Sequence, residues 1–153
     1  MTSRVYPVVV VGAGPTGVTV ATLLAQYGVD VLLLDRWSSL FPQPRAVHLD
    51  DEVYRILGRL GVAEDFAGMS RPSKGLRLMD ASHRVLADFR REPTAGRHGF
   101  PAANMFDQPD LEALLRENLH RQPRVTFRGD VEVDSIEQPT HGPVRIKFTG
   151  RVT

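Results

Sequence analysis

The chain of 153 residues is long enough for one domain with a sizeable core, and its formal net charge of +1 gives no reason to expect nucleic acid or an anionic membrane as a partner. Cysteine is absent, which excludes disulfides and thiolate metal sites and fits a reducing compartment. No run of about 18 uninterrupted apolar residues is present, so we expect a soluble, cytoplasmic protein.

The first stretch of the chain predicts a strand followed by a phosphate-binding turn. Four consecutive valines, Val8–Val11, are typical of a strand that is buried on both faces. In a dinucleotide-binding turn the first glycine permits a sharp bend, the second lets a pyrophosphate approach the backbone, and the third lets the next helix pack closely. The glycines after the valines match this G-x-G-x-x-G pattern: Gly12, Gly14 and Gly17.

The following residues complete a predicted βαβ unit. We expect a helix over residues 15–27, whose positive dipole end would favour phosphate, then a left-handed Gly28 and a second buried strand over residues 29–34. Asp35 follows 18 residues after Gly17, where the motif places an acid for the ribose of an adenosine. The pattern predicts a dinucleotide site, and the alternative is a glycine-rich turn with only a structural role.

The middle of the chain departs from βα alternation. A loop over residues 37–44 precedes a helix that begins after Asp50 as N-cap and ends at Gly61. Two strands over residues 76–79 and 85–89 are expected to form an antiparallel pair, followed by an exposed loop over residues 90–97. The spacing i, i+3, i+4, i+7 predicts one buried helix face, formed by Val53, Ile56, Leu57 and Leu60.

A second clear helix and three strands close the chain. Asp107 can cap this helix, and Pro109 fits its first turn. Its apolar stripe comprises Leu111, Leu114, Leu115 and Leu119. The strands, expected as a β-meander, lie over residues 124–128, 131–136 and 144–148. The predicted fold is therefore α/β, with a Rossmann-like βαβ unit, a mainly parallel sheet and an antiparallel β-meander.

Four short stretches occur in an order and spacing typical of one enzyme family. They are VVGAGPTG at residues 10–17, LLDR at 33–36, PRAVHLD at 44–50 and FDQPDLE at 106–112. Together they resemble the N-terminal part of the FAD-dependent aromatic hydroxylases, the single-component flavoprotein monooxygenases, and most of all the 3-(3-hydroxyphenyl)propionate hydroxylase type. On this resemblance, residues 1–153 form the N-terminal portion of an FAD-binding domain.

The resemblance implies FAD as cofactor, NAD(P)H as co-substrate and a small aromatic molecule as substrate. Asp35 would accept hydrogen bonds from the adenosine ribose, and Arg36 would lie beside the adenine. The alternative for Arg36 is a solvated surface charge. The pyrophosphate would be held by the turn, which comprises Gly12, Ala13, Gly14, Pro15, Thr16 and Gly17.

Three further residues receive cofactor roles from the same resemblance. Arg45 would lie near the ribityl or phosphate part of the flavin, with a structural ion pair as the alternative. Gln108 would hydrogen-bond the ribityl or pyrophosphate region, with a plain helix-start role as the alternative. Val133 would contact the adenine through its backbone.

The chain also departs from the family pattern. The Asp-Gly motif of the family is absent, and Gly129-Asp130 does not continue as the Gly-Asp-Ala-Ala-His motif near the flavin. The five histidines show no metal-ligand spacing, and no catalytic acid or base can be named. We therefore expect a fragment that is inactive by itself and that forms homo-oligomers through an uncovered sheet face. Two alternatives remain: a non-catalytic nucleotide-binding or interaction module, and a related FAD-dependent reductase or halogenase.

Overall fold

A computed structural model describes residues 5–40, 42–43, 45–92 and 96–150. Internal contacts divide the chain into two compact units, residues 1–41 with 115–153 and residues 42–114. We describe each unit by itself, and the single domain over residues 1–153 stays a prediction. In chain order the elements within the described ranges are β1 (Val8–Val11), α1 (Pro15–Gln26), β2 (Val31–Leu34), β3 (His48–Leu49), α2 (Asp51–Leu60), α3 (Ala63–Met69), β4 (Arg71–Pro72), β5 (Gly75–Met79), β6 (Val85–Arg90), β7 (Asn104–Met105), α4 (Gln108–His120), β8 (Val125–Arg128), β9 (Val131–Glu137) and β10 (Arg145–Gly150).

A parallel sheet of order β1-β2-β8 forms the core of the first unit. β2 is central, and its Val31, Leu33 and Leu34 are fully buried, as expected for a strand covered on both faces. The predicted βαβ unit is confirmed. β2 begins later than predicted because Val29 still donates its N–H to the carbonyl of Leu24 at 3.0 Å, which completes the end of α1.

The third strand of this sheet differs from the prediction. β8 was expected within an antiparallel meander, but it pairs with β2 in parallel. The prediction placed β8 with β9, but β8 pairs with the buried strand β2, and the long connection between β2 and β8 permits a parallel pair. Antiparallel pairing is confirmed for β9 and β10. Across this pair the Lys147 ammonium donates a hydrogen bond to the Glu137 carboxylate and holds the pKa of Glu137 below its ordinary value.

In the second unit, helix α2 has the N-cap and C-cap residues that the sequence predicts. Asp50 accepts a hydrogen bond from the N–H of Val53 at 2.9 Å, and Gly61 adopts φ 80° as the left-handed cap. The predicted buried face is partly wrong, because Val53 is 41% exposed whereas Tyr54 is only 5% exposed. Leu57 and Leu60 are buried as expected.

An aromatic cluster explains why Tyr54 turns inward. Helix α3, which the sequence analysis does not predict, places Phe66 edge-on to Tyr54 with ring centroids 4.9 Å apart. Phe100 stacks on the other side of Tyr54 at 4.4 Å. Aromatic pairs of this geometry add to the stabilisation that burial provides. Burial also raises the pKa of Tyr54 above its ordinary value.

Two small sheets complete the second unit. β5 and β6 form the predicted antiparallel pair, and both Leu76 and Phe89 remain more than half exposed. The sequence analysis missed β3, β4 and β7, which are strands of two residues each with β7 in the middle. Parts of two predicted loops, residues 41, 44 and 93–95, lie outside the described residues.

Helix α4 agrees with its predicted apolar stripe. Leu111, Leu114, Leu115 and Leu119 are all buried. The carbonyl of Asp107 accepts a hydrogen bond from the N–H of Leu111 at 3.2 Å, which places Asp107 at the position before the helix. None of the helices within the described ranges has the length and apolar character to cross a membrane.

A pair of glycine substitutions tests the close packing of α1 on β1. A Cβ on Gly17 would lie 1.8 Å from the carbonyl oxygen of Gly12, so Gly17→Ala should lower the free energy of unfolding by about 3 kcal/mol. A Cβ on Gly68 in α3 would meet no atom within 4 Å, so Gly68→Ala should be neutral or stabilising by up to about 1 kcal/mol. Urea unfolding of both variants measures the difference, and equal stabilities would contradict the packing of Gly17.

Candidate cofactor site

The three glycines of the turn after β1 serve three different purposes. Gly12 adopts φ 102°, which L side chains rarely tolerate. Gly17 is required by the close approach of α1. Gly14 has an ordinary φ of −74°, and a Cβ there would meet nothing within 4 Å. The chain itself therefore gives no reason for glycine at this position, whereas an approaching ligand does.

The N-terminus of α1 has features that favour the binding of an anion. Gly14 is the N-cap residue, no side chain caps the helix, and its first turn contains no acidic residue. Uncapped N–H groups and the positive end of the helix dipole favour a bound phosphate. A diphosphate group thus fits the turn by shape and by charge.

Asp35 holds this turn against the end of β2. Its Oδ2 accepts a hydrogen bond from the N–H of Ala13 at 2.5 Å, and its Oδ1 accepts one from the N–H of Trp37 at 2.8 Å. Each carboxylate oxygen can accept a second hydrogen bond, so both retain capacity for a ribose hydroxyl. The structural role of Asp35 and its predicted ribose role are compatible.

A cleft of about 510 Å³ lies within the first unit, and two of its lining residues, Arg36 and Trp37, directly follow Asp35. Asp130, at φ 56°, also lines the cleft, from the tight turn between β8 and β9. Val133, predicted to contact adenine, does not line the cleft, and its role stays a prediction. The sequence analysis missed Trp37, although its place directly after Asp35 and Arg36 was an available signal. The lining residues are Arg36, Trp37, Asp130, Glu132, Thr149 and Gly150.

In the second unit Gln108 holds the backbone of Arg45. The Gln108 side chain is 6% exposed, and its Oε1 accepts hydrogen bonds from the N–H groups of Arg45 at 2.8 Å and Ala46 at 2.7 Å. Its Nε2 donates to Glu112 at 2.6 Å. Gln108 therefore does more than begin a helix. Since its carbonyl oxygen is saturated, one Nε2 hydrogen remains for a ligand.

Within the described residues, no group of three or more His, Cys, Asp or Glu side chains is arranged to hold a metal ion. The side chains described above supply hydrogen-bond donors, hydrogen-bond acceptors and charged groups. They do not include an acid–base pair aimed at a common point. The chemistry that this arrangement supports is the binding of a nucleotide diphosphate.

Comparison with known proteins identifies the family. A family model described as an FAD binding domain matches residues 5–151. The chain belongs to this family. The predicted cofactor, FAD, and the predicted α/β class are both confirmed.

The relatives of this FAD-binding domain are aromatic hydroxylases. A probable NADH-specific resorcinol 4-hydroxylase of Rhodococcus jostii is 36% identical over 146 residues, which cover 95% of this chain and 27% of the relative. A 3-(3-hydroxy-phenyl)propionate/3-hydroxycinnamic acid hydroxylase of Mycolicibacterium vanbaalenii is 39% identical over 143 residues, 94% of this chain and 25% of the relative. The chain thus spans about a quarter of the length of these curated relatives.

Solved structures of flavoenzymes share the fold. The p-nitrophenol 4-monooxygenase PnpA of Pseudomonas putida superimposes with a TM-score of 0.85 at 26% identity, over 97% of this chain and 38% of PnpA. The flavin-dependent monooxygenase PieE, solved with FAD and substrate, gives 0.78 at 28% identity, over 95% of this chain and 28% of PieE. The predicted resemblance to flavoprotein monooxygenases is confirmed.

Replacing Gln108 tests whether it holds the Arg45 segment. Gln108→Leu removes the acceptor of two backbone N–H groups, so the variant should lose about 1–3 kcal/mol of stability, and the amides of Arg45 and Ala46 should exchange with solvent faster. Hydrogen–deuterium exchange resolved to single residues measures this. Gln26→Leu, an exposed change at the end of α1, is the control. Unchanged exchange at Arg45 would contradict the proposed anchoring.

Proposed function

We propose that this chain is the FAD-binding portion of a monooxygenase that hydroxylates a phenolic substrate with NAD(P)H and O₂. The observation that carries this proposal is the Asp35-anchored glycine turn, where Gly14 leaves room for a ligand. The hydroxylase relatives support the reaction class. When bound, FAD would supply the redox and oxygen chemistry, and the protein would supply binding and orientation.

The residues of the first unit would hold the adenosine half of FAD. The turn and the start of α1 would bind the pyrophosphate, and Asp35 would accept hydrogen bonds from the ribose. Arg36 would lie beside the adenine in the cleft. Asp130 and Glu132 in the same cleft would repel a 2′-phosphate, which supports an adenosine without that group.

The family resemblance gives two further residues a role toward the flavin half of FAD. Arg45 would contact the ribityl or phosphate part with its guanidinium, and Gln108 would hold the Arg45 backbone while offering its remaining N–H. Val133 would contact the adenine. These roles rest on the family resemblance and on the hydrogen bonds that Gln108 makes.

The relatives' names support a small aromatic substrate. One relative is named for resorcinol and NADH, the other for 3-(3-hydroxyphenyl)propionate and 3-hydroxycinnamic acid. We propose a cytoplasmic location, and the absence of cysteine from this chain is compatible with a reducing compartment. We further propose self-association through exposed apolar side chains such as Leu86 and Phe89.

Loss of the Asp35 carboxylate should weaken FAD binding. Asp35→Ala removes an acceptor for the ribose and the anchor of Ala13, so the affinity for FAD should fall by about 1.5–3 kcal/mol, roughly 10–150-fold. Quenching of flavin fluorescence on titration measures this. Asp30→Ala is the matched control, because Asp30 pairs with Arg124 on the surface at 2.8 Å. Equal affinities in the two variants would show that Asp35 does not bind the ribose.

The reaction itself is tested on the purified holoenzyme that contains this chain. With NADH or NADPH, ¹⁸O₂ and either resorcinol or 3-(3-hydroxyphenyl)propionate, we expect a product that carries one ¹⁸O atom in a new hydroxyl group. Mass spectrometry identifies the product. Consumption of NADH or NADPH without an oxygenated product from either compound would favour a reductase instead.

A further inference from the structure

Arg116, which no family motif in the sequence analysis includes, joins three segments of the first unit. Its Nη2 donates a hydrogen bond to the carbonyl of Ala13 at 3.4 Å, and its Nη1 donates one to the carbonyl of Ser38 at 3.1 Å. Its guanidinium also lies over the ring of Phe127, 5.1 Å from the centroid. Arg116 therefore touches the glycine turn, the loop after β2 and strand β8.

The positive charge of Arg116 has no carboxylate partner among the described residues. The ion pairs of the described chain involve other cations, such as Arg84 with Asp80 and Arg124 with Asp30. The Nε of Arg116 is buried without a hydrogen-bond partner in the described ranges. Among the described residues this half-buried cation meets two carbonyls and a ring, so its charge has no ion-pair partner there, whereas buried charges are normally paired. The Arg116 guanidinium thus places a cation without an ion-pair partner beside the Ala13 carbonyl, on the opposite side of Ala13 from the Asp35 carboxylate.

Two side chains fix the orientation of the peptide between Ala13 and Gly14 through hydrogen bonds to the backbone of Ala13. Asp35 accepts the N–H of Ala13, and Arg116 donates to its carbonyl. In a trans peptide the carbonyl and the following N–H point in opposite directions, so fixing the Ala13 carbonyl toward Arg116 turns the Gly14 N–H away from it. No described residue accepts a hydrogen bond from that N–H. The Gly14 N–H is therefore available to a ligand, and a Cβ on Gly14 would meet no atom within 4 Å.

We propose that Arg116 is a positioning residue for a nucleotide diphosphate, and this inference rests on the proposed function. Arg116 orients the Ala13–Gly14 peptide so that the Gly14 N–H faces the phosphate, and its uncompensated charge attracts the same anion. The ligand class follows from the charge, because the guanidinium attracts an anionic diphosphate, whereas adenosine alone carries no charge.

The test compares ADP with adenosine as ligands of the full chain. Arg116→Gln removes the charge and should raise the Kd for ADP about tenfold at low salt. The Kd for ADP should then depend less on salt than it does in the unsubstituted chain. The Kd for adenosine should stay unchanged within about twofold. Arg116→Lys keeps the charge and should stay within about threefold. Arg121→Gln, at an exposed position just after α4, is the control and should bind ADP as before. Ligand-observed NMR reaches the weak affinities, and circular dichroism checks folding.

Several outcomes would overturn the proposal. An unchanged Kd for ADP in Arg116→Gln removes any role for the charge. Equal losses for ADP and adenosine, or a Lys variant as weak as the Gln variant, reduce Arg116 to a structural tie. If Arg116→Gln does not fold, the Lys variant and the salt series of the original chain decide. If the original chain binds neither FAD nor ADP, the proposed function itself fails, which is a separate result.

Discussion

The hydrogen bond from the Ala13 N–H to the Asp35 carboxylate is the interaction on which the candidate site depends. It joins the end of β2 to the turn that follows β1. The sheet supports it, because Gly12 donates its N–H to the carbonyl of Leu34 at 2.7 Å and Val11 pairs with Leu34. Parallel strands that end at the same edge bring the two loops together. The turn therefore keeps its shape before any ligand arrives, which lowers the cost of ordering on binding.

The charged side chains around this turn occupy different positions according to their sign. Asp35 and Arg116 hold opposite ends of Ala13, one accepting and one donating. Asp130 and Glu132 add acidic side chains to the cleft that Arg36 and Trp37 also line. Acidic groups in the cleft and a cation beside the glycine turn are compatible with a dinucleotide that lacks a 2′-phosphate. FAD is such a molecule, and the family agrees with this assignment.

In the second unit, a side chain holds the backbone of a segment that has no regular structure. The segment around Arg45 lies between β2 and β3, and its N–H groups find their acceptor in Gln108, which is itself held by Glu112. A buried amide that bridges two segments is costly to leave unpaired, so the network specifies one arrangement. Elsewhere in this unit the rings of Tyr54, Phe66 and Phe100 supply the apolar packing, whereas the β5–β6 pair buries little.

The sequence by itself determined the local structure of this protein. Several features are predicted correctly from residue type and spacing alone, because each depends on residues that are close in sequence. They are the valines of β1, the glycine spacing, the position of Asp35 directly after β2, the Asp50 cap and the leucine stripe of α4. Only the tertiary structure decided what depends on distant partners. Tyr54 rather than Val53 turns inward because it packs against Phe66 and Phe100, and β8 runs parallel because it pairs with β2, a strand remote in sequence. Arg116 meets the carbonyls of Ala13 and Ser38 and the ring of Phe127, and the first two are remote from it in sequence. Such contacts leave no periodic signal, because the partners are chosen by packing and by the pairing of polar groups in space.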